Sequence, residues 1–343
     1  MSKETSINIL ISRQYGLYHY VMQLLSDLRQ SNTCDKIILD HGGAFGDFLL
    51  TWSSIAAIRQ FFPNINCYWH GSSSRLAFLK PLDIHPAPAC IHQTMRDLFS
   101  PDSKRIHDAL SSFQQSLVFR FHLDKRPTGL QTNRIISLQG YTPGQSTSPL
   151  YAYATQLSAL GLDIPRDNRE YFHQLFASPT QHGTRTVLLF SGSGHPKKNW
   201  PRVQFFSLAS RLRVHGFDPL FVVGPVEQEQ GVEINEWPYV YCDQVEDLIQ
   251  LCNSALAVIG GDTGPMHLAG LLQKPTVSLF GPTDPAVFAP IGSEIVSTKA
   301  ACSPCSQLCR NLTCRRPICM EEISVDMVME ALGRVLSATL QPI

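Results

Sequence analysis

Apolar and polar positions along the chain predict three units in which a strand, a loop and a helix follow one another. In residues 36–62, KIILDHGGAFGDFLLTWSSIAAIRQFF, a β-branched apolar segment leads through a Gly-rich turn into an amphipathic stretch. In 186–216, TVLLF precedes a polar loop and a helix expected to begin near Pro201 and to stop at Gly216. In 255–273, ALAVI precedes GGDTG and a further helix.

Two more apolar runs, DPLFVVG at 218–224 and PTVSLFG at 275–281, are predicted strands that end in glycine. Strands that alternate with helices are typical of α/β proteins with parallel sheets. In such sheets ligands bind beyond the carboxyl ends of the strands. The loops of the three units are therefore where chemistry is expected.

Composition narrows the class of protein. The chain has 343 residues, a length that predicts two domains. Hydrophobic residues make up 43% of the chain and charged residues 16%, which argues against a disordered polypeptide. Equal numbers of basic and acidic residues, 28 each, argue against a nucleic-acid partner. No apolar run approaches the ~18 residues of a bilayer crossing, and the start lacks the order of a signal peptide. We expect a cytoplasmic protein and leave peripheral contact with the inner membrane open.

The boundary between the two domains is expected in a linker near 172–184, within a stretch rich in Pro, Thr, Ser, Gln and Gly. The predicted domains are therefore 1–175 and 176–343. An apparent amphipathic helix, YGLYHYVMQLLSDLRQ, extends the first domain at its N-terminal end.

The loop at 260–264 has the features of a phosphate cradle. Asp262 or Thr263 can cap the helix that follows, and Gly264 allows the backbone to approach a ligand closely. His267, one turn into this helix, can donate to a phosphate oxygen or simply pack. A plain chain reversal is the alternative for the loop.

The other two loops add candidate side chains. Ser193 and Lys198 lie in the second loop, where an ammonium and free N–H groups can serve one anion, although a solvated basic turn is the alternative. Asp47 stands at a predicted helix start, where the helix dipole keeps a carboxylate ionised and able to accept a proton. The alternative is that Asp47 only caps the helix. No P-loop and no G-x-G-x-x-G fingerprint is in register.

With these segments together, the chain resembles glycosyltransferase family 9, the ADP-heptose:lipopolysaccharide heptosyltransferases and their relatives. The resemblance covers most of the chain and is most specific over GGDTGPMHLAGLLQKPTVSLFGPTDP, residues 260–285. Other parts of it are GGAFGDFLLTWSSIAAIRQFFP, FSGSGHPKKNWPRVQFFSLASRL and FVVGPVEQE.

The resemblance implies a GT-B fold, in which two Rossmann-like domains with parallel sheets face each other across a cleft. The first domain would bind the acceptor and the second the nucleotide-sugar donor. Family members are inverting and need no catalytic metal. The residues that the resemblance assigns to the donor are Ser193, Lys198, Glu227, Asp262, Thr263, Gly264 and His267, with Glu229 competing for the nucleoside role of Glu227.

The resemblance also implies that Asp47 is the general base that deprotonates an acceptor hydroxyl, while Lys198 stabilises the negative charge on the departing ADP. The implied reaction is heptosyl transfer from an ADP-sugar to a lipopolysaccharide-type acceptor. Two departures concern the acceptor: Ser53 replaces a usual proline, and His41-Gly42-Gly43 replaces a segment that is often basic. A protein hydroxyl as acceptor, a noncatalytic nucleotide-sugar or metal-binding module, and an epimerase remain alternatives.

Five of the ten cysteines crowd the C-terminal region with the spacing C-x2-C-x3-C-x4-C-x4-C. This number of thiolates suffices for a tetrahedral zinc or iron site of structural purpose. The expected ligands are Cys302, Cys305, Cys309 and Cys319, with Cys314 in reserve, chosen because this order matches a tail found in some family members. A loop of reduced thiols or a single disulfide is the alternative.

Overall fold

A computed structural model describes most of the chain. The described residues are 34–98, 100–123, 134–162, 164–165, 167–179, 183–229, 234, 237–305, 312 and 314–340. The predicted N-terminal amphipathic helix and Cys309 lie outside them. No helix within these ranges has the length and apolarity needed to cross a membrane.

The first sheet has five parallel strands in the order β3-β2-β1-β4-β5. Its strands are β1 (Lys36–His41), β2 (Asn66–Gly71), β3 (Ile84–Pro86), β4 (Ser116–His122) and β5 (Ile135–Gln139). Its helices are α1 (Phe45–Phe61), α2 (Leu76–Leu79), α3 (Ala89–Asp97), α4 (Ser103–Ser112) and α5 (Pro149–Ala159). Every residue of α1 from 48 to 58 is buried.

The second sheet has six parallel strands in the order β11-β10-β9-β6-β7-β8. Its strands are β6 (Thr186–Phe190), β7 (Asp218–Val223), β8 (Tyr239–Tyr241), β9 (Ala257–Gly261), β10 (Thr276–Phe280) and β11 (Glu294–Ser297). Its helices are α6 (Arg169–Phe176), α7 (Arg202–Val214), α8 (Pro225–Glu229), α9 (Val245–Ser254), α10 (Gly264–Leu271), α11 (Pro285–Phe288), α12 (Ile318–Glu321) and α13 (Val325–Leu340).

Both strand orders are those of doubly wound α/β domains, in which the chain reverses its direction of travel across the sheet at one point. The reversal lies between β1 and β4 in the first sheet and between β6 and β9 in the second. The α/β fold with two parallel sheets is thus confirmed, as are the three predicted units of strand, loop and helix.

The chain groups into two compact units. Unit 1 contains 50–142 and 149–166 together with β1, and unit 2 contains 167–343 together with two short segments, Ala44–Leu49 and Pro143–Ser148. The first turn of α1 therefore groups with unit 2. Helix α6 occupies the start of the segment expected to be a linker.

Candidate functional site

The carboxyl ends of β6 and β9 are neighbours at the reversal point of the second sheet. The loop that follows β6 passes through a short 3-10 helix, Pro196–Lys198, whose start is capped by His195: its ring accepts from the backbone N–H of Lys197 at 3.2 Å. The loop that follows β9 contains Asp262 and leads into α10. The topology thus brings together two loops that lie more than sixty positions apart in the sequence.

Lys198 and Asp262 form an ion pair between these loops. The Nζ of Lys198 lies 2.5 Å from Oδ2 of Asp262, and both side chains are largely buried. The hydroxyl of Thr283, which follows β10, donates to the same oxygen at 2.8 Å. A carboxylate that is removed from water needs such partners. Three successive strands of the sheet therefore end on one polar cluster.

The first turn of α10 differs in detail from the sequence expectation. Thr263 is the residue that precedes the helix, but its side chain makes no capping hydrogen bond. Glycine is required at position 264 because the start of α1 lies close to it. A Cβ on Gly264 would lie 2.8 Å from Cδ1 of Phe45 and 3.1 Å from the backbone nitrogen of Gly46. Within unit 2, the starts of α1 and α10 therefore meet, and the dipoles of both helices favour a negative charge there.

His267 lies on α10 near this meeting of helix starts. It is 6% exposed, and a Cβ on Gly46 would lie 3.4 Å from its Cδ2 atom. Burial lowers the pKa of the His267 imidazole to about 4; the charge of Asp262 opposes this shift and that of Lys198 adds to it. At neutral pH the ring is therefore uncharged and can offer a hydrogen bond but no positive charge.

Two further candidate residues are held in place near the ends of β6 and β7. The Ser193 hydroxyl is buried and lies 2.6 Å from Oδ1 of Asn199. Oε2 of Glu227 accepts from the backbone N–H of Gly224 at 2.9 Å, and Glu227 is buried whereas Glu229 is exposed. Gly192 leaves the room for this carboxylate, since a Cβ there would lie 2.7 Å from Cδ of Glu227.

Asp47 lies in the first turn of α1 and is half-buried. Its Oδ2 accepts a hydrogen bond from the backbone N–H of Ala44 at 3.2 Å. This bond and the helix start both favour the ionised carboxylate. The geometry suits a capping residue and also an ionised carboxylate that can accept a proton.

A second polar cluster lies in unit 1, at the carboxyl end of the first sheet, and sequence reasoning did not find it. Asp40 on β1 pairs through Oδ1 with Nδ1 of His70 on β2 at 2.6 Å, and through Oδ2 with Nε of Arg120 on β4. Burial alone would raise the pKa of the Asp40 carboxyl, but the hydrogen bond from His70 and the charge of Arg120 hold it below its usual value.

The register explains this cluster, because Asp40 stands directly opposite His70 on one side and Arg120 on the other. The ring centroids of His92 and His70 lie 4.9 Å apart. The neighbouring His41 is buried, which lowers the pKa of its imidazole to about 4, and the charge of Arg75 adds to the shift. The reversal point of the first sheet thus also carries ionisable side chains.

The cysteine region is described in part. Cys302 and Cys305 are exposed, Cys314 is half-buried and Cys319 is buried. Burial raises the pKa of the Cys319 thiol to about 11, and the nearby thiols of Cys305, Cys302 and Cys314 contribute to the rise. Among the described residues, no three His, Cys, Asp or Glu side chains are arranged as ligands of a metal ion. The expected set of four therefore stays a prediction, with Cys309 outside the described ranges.

Sequence reasoning named Lys198, Asp262, Thr263, Gly264 and His267, but it gave no role to Thr283 or Asn199. Thr283 follows a predicted strand within the segment GPTDP, and that position was the available signal. Asn199 directly follows Lys198 and offered no pattern of its own.

Comparison with protein families and curated proteins agrees with this geometry. The family model described as Glycosyltransferase family 9 (heptosyltransferase) matches residues 151–315. Lipopolysaccharide heptosyltransferase 2 of Salmonella typhimurium is 29% identical over 109 residues, which cover 29% of this chain and 31% of that protein. The match thus spans about a third of that relative, and matches with other curated heptosyltransferases span less than half of each.

Solved structures extend the similarity to almost the whole chain. A glycosyl transferase family 9 protein from Veillonella parvula superposes with a TM-score of 0.61 at 17% identity, covering 89% of this chain and 98% of that one. The dodecameric iron-containing heptosyltransferase TibC of Escherichia coli, in complex with ADP-D-beta-D-heptose, gives a TM-score of 0.61 at 14% identity, covering 90% and 77%. These similarities establish the fold.

Proposed function

Because the chain belongs to glycosyltransferase family 9, we propose that it is an inverting glycosyltransferase that transfers a heptose or a related sugar from an ADP-sugar to a lipopolysaccharide-type acceptor. The observation that carries the proposal is the polar cluster of Lys198, Asp262 and Thr283 beside the start of α10. The positive end of a helix dipole and one ammonium at that place suit a diphosphate.

In this proposal the donor diphosphate lies at the first turn of α10, against Thr263 and Gly264. Lys198 supplies positive charge, and Asp262 with Thr283 holds that charge in position. His267 is uncharged at neutral pH, so it would donate a hydrogen bond to the diphosphate. Glu227, held by Gly224, would read the nucleoside. As ADP leaves, these fixed groups would stabilise the negative charge that develops on it, and no catalytic metal would be needed.

Asp47 is proposed as the general base. Its carboxylate would take the proton of an acceptor hydroxyl while the oxygen of that hydroxyl attacks the anomeric carbon, the bond to ADP breaks and the configuration inverts. The polar cluster of Asp40, His70 and Arg120 supports a ligand site in unit 1, where the family places the acceptor. A lipid-linked acceptor would bring the protein to the inner membrane, and co-sedimentation with vesicles tests that contact.

The test measures ADP release with ADP-heptose and a lipopolysaccharide-core acceptor. Replacing Asp47→Asn should lower kcat by about 10²–10⁴-fold while calorimetry finds ADP affinity nearly unchanged. Lys198→Met should weaken ADP binding, whereas exposed Lys104→Met should change neither quantity. Normal turnover by Asp47→Asn would show that another group is the base.

The same experiment separates the two alternatives. A protein acceptor would appear as a gain of intact mass on a co-expressed partner protein. Tight binding of an ADP-sugar with no transfer to any acceptor would favour a noncatalytic binding module.

We also propose that Cys302, Cys305, Cys309 and Cys319 hold a structural zinc or iron ion, with Cys314 as a substitute ligand. Support comes from the placement of Cys305 and Cys319 against neighbouring residues of one loop, Pro282 and Gly281, and from the similarity of the fold to TibC, a heptosyltransferase that contains iron. Elemental analysis tests the metal in the wild-type protein and in Cys305→Ser. A metal content that Cys305→Ser does not reduce would remove Cys305 from the site.

A further inference from the structure

The segment that carries the C-terminal cysteines is bonded to two of the three loops that form the Lys198–Asp262–Thr283 cluster, those of Lys198 and Thr283. We call its described residues 300–305, 312 and 314–323 the thiol segment. The Nζ of Lys197 donates to the carbonyl oxygen of Leu312 at 2.5 Å. Lys197 directly precedes Lys198, so this bond joins the thiol segment to the loop that supplies the cation.

A second connection reaches the loop of Thr283. The backbone N–H of Cys305 donates to the carbonyl oxygen of Pro282 at 3.1 Å, and the hydroxyl of Ser303 donates to that of Gly281 at 2.6 Å. A Cβ on Gly281 would lie 2.9 Å from Sγ of Cys319, so the loop packs directly on that sulfur. Each connection lies one or two residues from a group that holds Asp262.

The thiol segment is also anchored to the core of unit 2. The indole N–H of buried Trp200 donates to the carbonyl oxygen of Ile323 at 2.9 Å, and the hydroxyl of Thr298 donates to that of Cys319 at 3.1 Å. The segment therefore lies between a fixed core and the two loops. A shift of its backbone would move Lys198 and Thr283 together, because packed elements move as units.

We propose that Lys197 is a positioning residue that couples the thiol segment to the donor site, so that nucleotide diphosphate binding and the reactivity of the exposed thiols change each other. This inference rests on the proposed donor site. Lys197 acts through its bond to Leu312, which fixes the backbone of Lys198. Coupling between two binding equilibria is reciprocal. If ADP favours the arrangement of the segment in which the thiols are less accessible, a label that disfavours this arrangement should weaken ADP binding.

The experiment uses the whole protein, ADP and N-ethylmaleimide, with labelling followed for each cysteine by peptide mass spectrometry. The metal content is measured before and after labelling, because alkylation of Cys302 and Cys305 would release a metal ion that they hold. ADP should slow the labelling of Cys302 and Cys305 by about fivefold or more, within the usual range of coupling between sites. Cys90, exposed on α3 in unit 1, is the internal reference and should label at the same rate with and without ADP. Protein labelled at Cys302 and Cys305 should bind ADP about fivefold or more weakly.

Variants of Lys197 test the named connection. Lys197→Met keeps the length of the side chain but loses the donor, so ADP should no longer slow thiol labelling, and ADP should bind less tightly. Lys197→Arg keeps a donor for the Leu312 carbonyl and should restore both effects, whereas exposed Lys104→Met should behave as the wild type. A loss of positive charge alone would weaken ADP binding in Lys197→Met but leave the protection of the thiols intact at saturating ADP.

The outcomes separate this inference from the function on which it rests. If the wild type binds ADP and its thiols label at unchanged rates, the coupling is wrong and the donor site stands. If the wild type does not bind ADP, both the donor site and the coupling are overturned. These two measurements on the wild type decide the question even if a Lys197 variant does not fold.

Discussion

The Nζ of Lys198 lies 2.5 Å from Oδ2 of Asp262, across the point where the second sheet reverses its strand order. A lysine side chain on a loop has many rotamers available to it. Here it is held by a buried carboxylate, which is itself bonded to Thr283. The cation is therefore held by protein groups, and a fixed charge loses less entropy on binding an anion than a mobile one.

Breaking this ion pair from one side should cost stability. We expect Lys198→Met to lower the free energy of unfolding by about 2–4 kcal/mol, because it leaves a buried carboxylate without its cation. The double variant with Asp262→Asn should be destabilised by less than the sum of the two single variants, as measured in urea titrations.

The matched control is the exposed pair of Arg211 and Asp326, whose atoms lie 3.0 Å apart. A double-mutant cycle on that pair should give an interaction of less than about 1 kcal/mol. Equal coupling in the two cycles would contradict the special burial of Lys198 and Asp262.

Thr283 should be needed for its hydroxyl rather than for its shape. Thr283→Val keeps the size of the side chain but removes the donor to Asp262, so we expect a loss of about 1–3 kcal/mol in unfolding free energy and weaker ADP binding. The control is Thr94→Val, because the Thr94 hydroxyl donates to the Cys90 carbonyl of its own helix at the surface of unit 1. Calorimetric titration with ADP should show no effect of Thr94→Val.

Gly264 should resist even the smallest substitution. Its Cβ would lie 2.8 Å from Phe45, so Gly264→Ala must displace the first turn of α1 or of α10, and we expect a loss of about 1–3 kcal/mol. Gly333→Ala in α13 is the opposite case, since nothing lies within 4 Å of its Cβ. That substitution should stabilise the helix by about 0.5–1 kcal/mol. Thermal unfolding that ranks the two variants the other way would refute the close approach.

The elements of the fold were readable from the sequence because each carries its own signal. The run TVLLF is strand β6 in full, and the helix expected between Pro201 and Gly216 is α7, Arg202–Val214. Local periodicity, a proline at the start and a glycine at the end suffice for such elements. The loops that hold the candidate donor residues could be found because they follow these strands.

The pairing of side chains was not readable, because it depends on register between distant segments. Asp40 meets His70 and Arg120 only because β1 lies between β2 and β4, and the three residues share no local pattern. The packing that requires glycine at position 264 was likewise not predictable, since Phe45 lies more than two hundred positions earlier in the sequence. Sequence reasoning found residues with suitable chemistry, whereas their partners required the topology.

The buried His267 should make the stability of the protein depend on pH. Its pKa is lowered to about 4 in the folded state from an ordinary value of 6.5. Below pH 6.5 this histidine binds a proton in the unfolded chain but not in the folded chain. Its contribution to stability is therefore complete above pH 6.5 and is lost as the pH falls towards 4. Between pH 7 and pH 5 the loss from this residue should be about 2 kcal/mol.

His267→Gln removes the titrating ring, so its unfolding free energy should fall by about 2 kcal/mol less than that of the wild type between pH 7 and pH 5. Urea titrations at each pH measure this difference, and exposed His215→Gln is the matched control, which should follow the wild type. Parallel pH profiles for the wild type and His267→Gln would mean that the ring binds a proton equally well in the folded and the unfolded protein. Burial would then not lower the pKa of the ring, the ring would be charged below about pH 6.5, and the uncharged donor described for His267 would be wrong in that range.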